Sequence, residues 1–184
     1  MEKISLSEFL KLEKQDLKGR IFCFPTDTVY GLACLYADEE AIKRIYELKN
    51  RTYDKPLAHL CSNINQIATL GVEITGLAEE LMKKYWPGPL TLILNSPEGK
   101  ISFRMPDSKI ALKIIDRFSV LPTTSVNESN KPELNSLAEI EAAYGNEIDY
   151  LIIDPATFSK LPSTVADISG GSIKILRQGA IYLE

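Results

Sequence analysis

A short apolar run leads directly into a polar loop near the start of the chain, in IFCFPTDTVYGL at residues 21–32. The first four residues predict a buried strand, and Pro25 ends it because proline cannot donate a hydrogen bond to a neighbouring strand. The loop that follows carries Thr26, Asp27 and Thr28. Polar side chains at the end of a buried strand are therefore the first candidates for a functional site.

Helical and strand patterns alternate along the rest of the chain. Strands are predicted in LAHLC (57–61), LTLIL (90–94), ISFRM (101–105), LPTTSV (121–126), YLIID (150–154), STVADI (163–168) and SIKILR (172–177). Helices are predicted to begin at the capping residues Ser5, Asp38 and Ser136, and from apolar periodicity over residues 74–85 and 109–118. The alternation predicts an α/β (α+β) fold, and the length of 184 residues predicts a single domain over residues 1–184.

Composition limits the class of protein. The chain has 21 Lys and Arg against 25 Asp and Glu, so its formal charge is 21 − 25 = −4, which argues against a general nucleic-acid coat protein. The three cysteines, Cys23, Cys34 and Cys61, have no C-x-x-C spacing, and an odd number does not form a secreted disulfide framework. With no signal-peptide or membrane-span pattern, we expect a cytoplasmic protein without membrane contact.

Several kinds of chemistry are excluded by missing motifs. Neither G-x-x-x-x-G-K-[ST] nor G-x-G-x-x-G occurs, so a P-loop and a Rossmann fingerprint are absent. His59 is the only histidine, which rules out multi-histidine metal sites and leaves a Ser-His-Asp triad dependent on that one residue. Its apolar strand favours a core or strand-end histidine with a satisfied hydrogen bond instead, and no metal site is expected.

Cations and hydroxyls recur at the ends of the predicted elements. They are Lys49, Arg51 and Lys55 after a helix, Arg104 on a strand, Ser125 and Asn127 at a turn, Ser163 and Thr164 at the start of a strand, and Arg177 at the end of one. Arg binds phosphate and carboxylate groups in a bidentate manner and Lys supplies a point charge, so the set predicts a phosphate and carboxylate site. In ISFRM, Ser102 and Arg104 lie on the face opposite the apolar residues, so we expect the Arg104 guanidinium to be free for a ligand.

Seven ordered motifs resemble one known family over nearly the whole chain. They are PTDTVYGL (25–32), the K-x-R of Lys49 and Arg51 with KPL (55–57), WPGPLT (86–91), FRMP (103–106), the S-x-N of Ser125 and Asn127, STVAD (163–167) and LRQG (176–179). In this order they resemble YrdC/TsaC-like proteins, which are threonylcarbamoyl-AMP synthases. The resemblance implies a twisted, open, mixed sheet flanked by helices around a concave basic cleft, in the short, single-domain type of the family.

The resemblance also implies an activity and its partners. Members make L-threonylcarbamoyladenylate and pyrophosphate from L-threonine, bicarbonate or CO2 and ATP, for the threonylcarbamoyladenosine modification of tRNA. Magnesium would arrive with ATP, a TsaD-type transferase complex would receive the product, and tRNA is a possible contact.

The resemblance assigns roles to individual residues by motif. Thr28, Arg104 and Ser163 would face the threonine, with the Arg104 guanidinium on its carboxylate. Lys49, Arg51, Lys55, Ser125, Asn127, Asn135 and Arg177 would hold ATP, and Lys49 and Arg51 are the candidate catalytic residues. We expect both of these cations to be exposed.

Two motifs depart from the usual family pattern. S-A-N-x-S-G is Ser125-Val126-Asn127-Glu128-Ser129-Asn130 here, and K-G-R-P is Lys49-Asn50-Arg51-Thr52. Asn tolerates a left-handed backbone better than most residues, so the first turn is expected to form. Glu128 is expected to add negative charge close to the phosphates. Some relatives contact threonine through a histidine one position after His59, which on a strand is the opposite face, so His59 is not assigned as a ligand.

Two other classes of function stay open at this point. One is a non-catalytic module that binds tRNA or double-stranded RNA in the same basic cleft, although the sequence shows no combined aromatic and basic stacking platform. The other is a carbamoyl-phosphate or carbamoyl-adenylate handling domain, like the related one in hydrogenase maturation proteins. The zinc-finger and acylphosphatase-like segments expected in those long chains are missing.

Overall fold

The computed structural model describes residues 1–183, and over them the chain forms strands and helices in alternation. The strands are β1 (Glu2–Ile4), β2 (Phe22–Pro25), β3 (Tyr30–Ala33), β4 (Ala58–Leu60), β5 (Leu90–Ser96), β6 (Gly99–Arg104), β7 (Leu121–Ser125), β8 (Tyr150–Ile152), β9 (Thr164–Asp167) and β10 (Lys174–Arg177). The helices are α1 (Leu6–Phe9), α2 (Glu39–Leu48), α3 (Ile64–Ala68), α4 (Gly76–Tyr85), α5 (Lys109–Phe118) and α6 (Leu137–Tyr144).

All these strands belong to one open sheet in the order β1-β8-β2-β3-β7-β4-β6-β5-β9-β10. The sheet is mixed, because β1–β8, β2–β8, β4–β6 and β5–β9 are parallel pairs and the other neighbouring pairs are antiparallel. The predicted fold class is therefore confirmed. The central strands carry the candidate site: Gly31 on β3 pairs with Ser125 on β7, and Leu60 on β4 pairs with Arg104 on β6.

The predicted helix starts are confirmed by their caps. The Ser5 hydroxyl accepts a hydrogen bond from the Glu8 amide while the Glu8 carboxylate accepts one from the Ser5 amide, which completes a capping box. The side chain of Asp38 caps α2, and that of Ser136 caps α6. Each cap satisfies amide donors that the first turn of a helix leaves without an internal partner.

Three short elements were not predicted: β1, β3 and α3. The strand β1 has only three residues, two of them exposed, so it carries no apolar pattern and forms because it pairs with the distant β8. The strand β3 lies immediately after the polar loop and is stabilised between β2 and β7. Short elements of this kind depend on tertiary pairing rather than on local propensity.

The strand β2 and its flanking residue Ile21 are buried on both faces. Phe22 and Phe24 belong to one apolar cluster with α1 and α5, whereas Ile21 and Cys23 belong to another with α2 and α6. A third cluster packs α4 against β5 and β6. Helices therefore flank the sheet around the buried strand that the sequence predicted, which accounts for its unbroken apolar run.

The three cysteines are buried and unpaired in these clusters. Burial raises the pKa of the Cys34 and Cys61 thiols to about 12, so both are protonated and unreactive near neutral pH. None of the helices in residues 1–183 is long and apolar enough to cross a membrane.

His59 on β4 is a partly buried side chain, with its ring 5.8 Å from the Tyr36 ring and 5.6 Å from the Phe103 ring. Its Nδ1 atom is buried without a hydrogen-bond partner in the described part of the chain. Burial lowers the pKa of His59 to about 4, and a hydrogen bond with the Ser102 backbone opposes this only in part. The imidazole is neutral at pH 7. It lies on a strand inside the sheet, but the satisfied hydrogen bond expected for it is missing at Nδ1 in the described part of the chain.

This burial predicts a specific loss of stability in mild acid. The unfolded chain binds a proton on His59 below about pH 6.5 and the folded chain only below a pKa of about 4. As the pH is lowered from about 6.5 to about 4, the free energy of unfolding should therefore decrease by up to about 3 kcal/mol. Above and below this range, the contribution of His59 to stability should not change with pH. Denaturant titrations of wild type and His59→Leu across this range check the effect, because the difference between the two proteins should change with pH. A constant difference would contradict it.

Candidate functional site

Two adjoining cavities form one cleft on the sheet. The first, which we call the inner cavity, has a volume of about 300 Å³ and is lined by Thr28, Thr91, Arg104, Thr123 and Ser163 among others. The second, the outer cavity, has a volume of about 420 Å³ and is lined by Lys49, Arg51, Lys55, Asn127 and Lys131 among others. Five residues line both cavities, so the two are continuous: Arg51, Lys55, Ser125, Glu133 and Arg177.

The three residues assigned to threonine meet in the inner cavity, and all three are buried. Arg104 Nη1 donates to Thr28 Oγ1 at 2.8 Å. The Ser163 hydroxyl shares a 2.8 Å hydrogen bond with the Thr91 hydroxyl and accepts one from Arg177 Nη2 at 3.1 Å. The inner cavity therefore combines the buried guanidinium of Arg104 with several hydroxyls, and the guanidinium of Arg177 reaches it as well.

Arg104 is not free, in contrast to the prediction. Its Nη2 atom forms an ion pair with Asp27, and its Nε donates to the backbone oxygen of Gly88 at 3.1 Å. A guanidinium has five N–H donors, and three of these are committed to Gly88, Thr28 and Asp27, so two are left for a ligand. Burial lowers the pKa of Arg104, and the Asp27 carboxylate, which sequence reasoning left without a role, opposes that shift.

The loop that carries Asp27 and Thr28 is folded by its first threonine. Thr26 Oγ1 donates to the Val29 backbone oxygen at 2.7 Å, and the Thr26 amide donates to the same oxygen at 3.2 Å. This tight turn at the end of β2 directs the next two side chains toward Arg104. Thr26 and Thr28 thus line the inner cavity, and Asp27 pairs with Arg104 beside them.

Lys49 is buried, in contrast to the expected exposure. Only 1% of its surface is exposed, and its Nζ donates to the Ser125 oxygen at 2.6 Å and to the Asn127 backbone oxygen at 2.7 Å. Burial, and then repulsion from Arg51, lower the pKa of Lys49 to about 7, while Glu133 opposes this. The lysine lies at the C-terminal cap of α2, where the helix ends inside the protein.

Arg51 and Lys55 are the accessible cations of the K-x-R-x-x-x-K segment. Arg51 is half-buried and closes its own loop, with Nε donating to the Lys55 oxygen at 2.7 Å and Nη2 to the Pro56 oxygen at 3.0 Å. Lys55 is exposed, and its Nζ lies 3.4 Å from Asn130 Oδ1. Both line the two cavities, as does Arg177, whose guanidinium also donates to the Ser163 oxygen.

The residues assigned to ATP are not all brought to the cleft. Ser125 and Asn127 line the outer cavity, but Asn135 lines neither cavity. The Asn135 Nδ2 donates to the Glu133 backbone oxygen at 3.1 Å, and its buried Oδ1 has no partner in residues 1–183. Asn135 therefore supports the loop that carries Glu133.

The carboxylate of the cleft is Glu133 and not Glu128. Glu128 forms a 2.5 Å ion pair with Lys131 on the surface, and this hydrogen bond lowers its pKa. Glu133, which sequence reasoning missed, is the one acidic residue that lines either cavity among the described residues. Its only sequence signal was its place in the polar turn that follows β7.

The backbone is left-handed at both positions where this chain has asparagine and the usual family pattern has glycine. Asn50 has a φ of 47° and Asn130 a φ of 66°. Asn is among the few residues that adopt this conformation readily, so the expectation that the turn forms is confirmed. The two turns place Arg51 and Lys55 beside the loop of Ser125 and Asn127.

Over residues 1–183, no group of three or more His, Cys, Asp or Glu side chains is arranged to hold a metal ion. A cleft that six cations and one carboxylate line is suited to an anion, because the cations attract it and the hydroxyls orient it.

Comparison with known proteins decides the family. The family model of Sua5, YciO and YrdC proteins, described as "Telomere recombination", matches residues 16–179. The chain belongs to the Sua5/YciO/YrdC family. The resemblance inferred from the seven motifs is therefore confirmed.

Named relatives of this family are similar over most of the chain. The threonylcarbamoyl-AMP synthase of Pyrococcus abyssi is 36% identical over 91% of this chain and 52% of its own length. A putative threonylcarbamoyl-AMP synthase of Methanocaldococcus jannaschii is 34% identical over 100% of this chain and 90% of its own length. The chain thus spans about half of the first relative and most of the second.

A solved structure of this family has the same fold. The crystal structure of P. abyssi Sua5 complexed with L-threonine superimposes with a TM-score of 0.86 at 34% sequence identity. The match covers 97% of this chain and 56% of that chain.

A glycine beside the cleft predicts a local sensitivity to volume. A Cβ atom on Gly179 would lie 2.3 Å from the Pro162 oxygen and 2.5 Å from the Ser163 oxygen, both rigid backbone atoms. Gly179→Ala should therefore lower the free energy of unfolding by about 1–3 kcal/mol, as overpacking usually does. Gly170→Ala is the matched control, because a Cβ there meets nothing within 4 Å. Denaturant melts that show the same midpoint for both variants would contradict the prediction.

Proposed function

We propose that this chain is a threonylcarbamoyl-AMP synthase that forms L-threonylcarbamoyladenylate and pyrophosphate from L-threonine, bicarbonate or CO2 and ATP. One observation carries the proposal: a buried guanidinium with hydroxyls at one end of a cleft is continuous with a cluster of accessible cations at the other. Such a cleft suits a small amino acid held next to a nucleotide. The names of the relatives support the same activity.

In the proposed reaction, the threonine amine first adds to CO2 and loses a proton, which gives a carbamate. A carbamate oxygen then attacks the α-phosphorus of ATP, and the bond from that phosphorus to the bridging oxygen of pyrophosphate breaks. Negative charge builds on phosphate oxygens in the transition state, so preorganised cations in a cleft of low water content stabilise it. No protein nucleophile is required.

The proposed roles divide along the cleft. Thr28, Arg104 and Ser163 hold threonine, with the two uncommitted N–H groups of Arg104 on its carboxylate. Arg51, Lys55 and Arg177 bind the phosphates, and Ser125 and Asn127 line the same cavity. Arg51 is the proposed catalytic cation, and like Lys55 and Arg177 it lines both cavities.

Magnesium is proposed to arrive as part of the ATP substrate. Mg²⁺ in such sites keeps several waters and is bound by the phosphates with one or two carboxylates, and Glu133 is the carboxylate available in the outer cavity. The ion would neutralise part of the triphosphate charge.

The cellular setting is also a proposal. Residues 1–184 are proposed to be one YrdC-like domain, with support from the single sheet that includes both β1 and β10. The free buried thiols suit a reducing cytoplasm. A TsaD-type transferase complex would take up the product for tRNA modification, with direct tRNA contact as a further possibility to test.

The proposed reaction predicts a strict co-substrate requirement. Purified protein with ATP and magnesium should release pyrophosphate only when L-threonine and bicarbonate are both present, because the carbamate is the nucleophile. A coupled pyrophosphate assay with each component omitted in turn checks this. Release without threonine would contradict the proposal, and RNA binding that weakens steeply with salt and ignores threonine would favour the RNA-binding alternative.

Two arginine variants should separate the two ends of the cleft. Arg104→Ala should raise the KM for threonine by about 10- to 100-fold with a smaller effect on the KM for ATP, because it removes charge-assisted bonds to the amino-acid carboxylate. Arg51→Ala should instead lower kcat for pyrophosphate release by about 100-fold, as loss of a transition-state donor does. Steady-state kinetics with each substrate varied, together with circular dichroism of both variants, provide the check. Equal effects on both KM values would count against the division of roles.

A further inference from the structure

Asp27 contacts the guanidinium of Arg104 but lines neither cavity of the cleft. Its side chain is only 13% exposed, and the ion pair with Arg104 Nη2 is the one polar contact of its carboxylate within residues 1–183. Arg104 itself lines the inner cavity. Asp27 is therefore placed to act on a ligand of that cavity through Arg104 and not by contact.

The backbone around Asp27 is fixed by a distant segment of the chain. The Asp27 backbone oxygen accepts from the Ser159 amide at 2.9 Å, and the Thr28 backbone oxygen accepts from the Lys160 amide at 2.8 Å. The loop after β2 is thus bonded to the segment before β9. It cannot carry the Asp27 carboxylate away from Arg104 unless these bonds break.

The planar guanidinium of Arg104 is held at each of its three nitrogens. Nε donates to the Gly88 oxygen at 3.1 Å, Nη1 donates to Thr28 Oγ1 at 2.8 Å, and Nη2 pairs with Asp27. Bonds from all three nitrogens fix both the position of the group and its rotation. One N–H group on Nη1 and one on Nη2 remain, and a carboxylate can accept from both in a bidentate pair.

Asp27 is the charged member among these three partners. The Gly88 oxygen and the Thr28 hydroxyl are neutral, whereas the Asp27 carboxylate carries the charge opposite to that of Arg104. Arg104 is 6% exposed, and burial lowers its pKa, an effect that Asp27 opposes and that repulsion from Arg177 increases. A guanidinium keeps its proton in proteins, so without Asp27 it would have to turn toward other oxygens or water.

We propose that Asp27 is a positioning residue, which holds the Arg104 guanidinium in the orientation in which its two remaining N–H groups bind the carboxylate of the amino-acid substrate. This inference rests on the proposed use of L-threonine in the inner cavity. The opposite role, in which Asp27 competes with that carboxylate for Arg104, is disfavoured because Asp27 lies outside the cavity and takes only one of the five N–H groups. The two roles predict opposite changes in the affinity for threonine.

The isosteric variant Asp27→Asn tests the sign of this effect. It keeps an oxygen acceptor beside Arg104 but removes the charge, so the KM for threonine should rise about 5- to 10-fold while the KM for ATP changes by less than about twofold. Isothermal titration calorimetry with L-threonine should show the same rise in Kd without catalysis.

The matched control is Asp107→Asn. It makes the same change of charge at an exposed residue that lines neither cavity, so it should leave both KM values unchanged. A threonine KM that is unchanged or lower in folded Asp27→Asn, or a rise that is equal for both substrates, would overturn the proposal.

A double-mutant cycle tests whether Asp27 acts through Arg104. Asp27→Asn should raise the threonine KM by less than about twofold in the Arg104→Ala background, because the group that it positions is already missing. Arg104→Lys should raise the threonine KM nearly as much as Arg104→Ala, since an ammonium keeps the charge but not the planar pair of donors. Independent effects of Asp27 and Arg104 would overturn the proposal. If Asp27→Asn does not fold, Arg104→Lys still decides, because a threonine KM near that of the wild type would overturn it.

The outcome also separates this inference from the proposed function. Pyrophosphate release that depends on threonine and bicarbonate, together with a threonine KM that Asp27→Asn does not raise, would overturn the role of Asp27 alone. A chain that neither binds threonine nor releases pyrophosphate would overturn the proposed function and this inference with it.

Discussion

A cation removed from water must have its donors paired with oxygen acceptors, and two such cations shape this cleft. Lys49 and Arg104 are 1% and 6% exposed, and each donates to three oxygens of the protein. An unpaired buried charge costs several kcal/mol, on the order of 3–5 kcal/mol, so neither group can lose its partners without disturbing the fold. The oxygens that satisfy them belong to Asp27 and Thr28 after β2, to Gly88 before β5, and to Ser125 and Asn127 at and after the end of β7, so distant segments meet at these two cations.

Other cations of the cleft are accessible to a ligand. Arg51, Lys55 and Arg177 reach both cavities, and Glu133 is the carboxylate among them. A chain with a formal charge of −4 thus concentrates positive charge at one place on its surface. Such local concentration is what binding of an anionic ligand needs, and the overall charge does not report on it.

Much of the fold could be predicted from local signals. The capping box of Ser5 and Glu8 and the buried strand before Pro25 appeared at or within one or two residues of their predicted positions. These features depend on neighbours within a few residues, so the sequence contains their full physical cause. The strands β1 and β3 were missed because their stability comes from β8 and β7, which lie far away along the chain.

The sequence by itself determined which groups are present: the seven family motifs, the asparagines that replace glycines at left-handed positions, and the alternation that turns Arg104 away from the apolar face. Only the tertiary structure decided how each group is used. In the folded protein Asp27 forms an ion pair with Arg104, and Lys49 is buried. Glu133 lines the cleft, whereas Glu128 pairs with Lys131 on the surface. The physical reason is that burial and pairing of a charge depend on oxygens contributed by distant segments, and no local pattern specifies which segments those are.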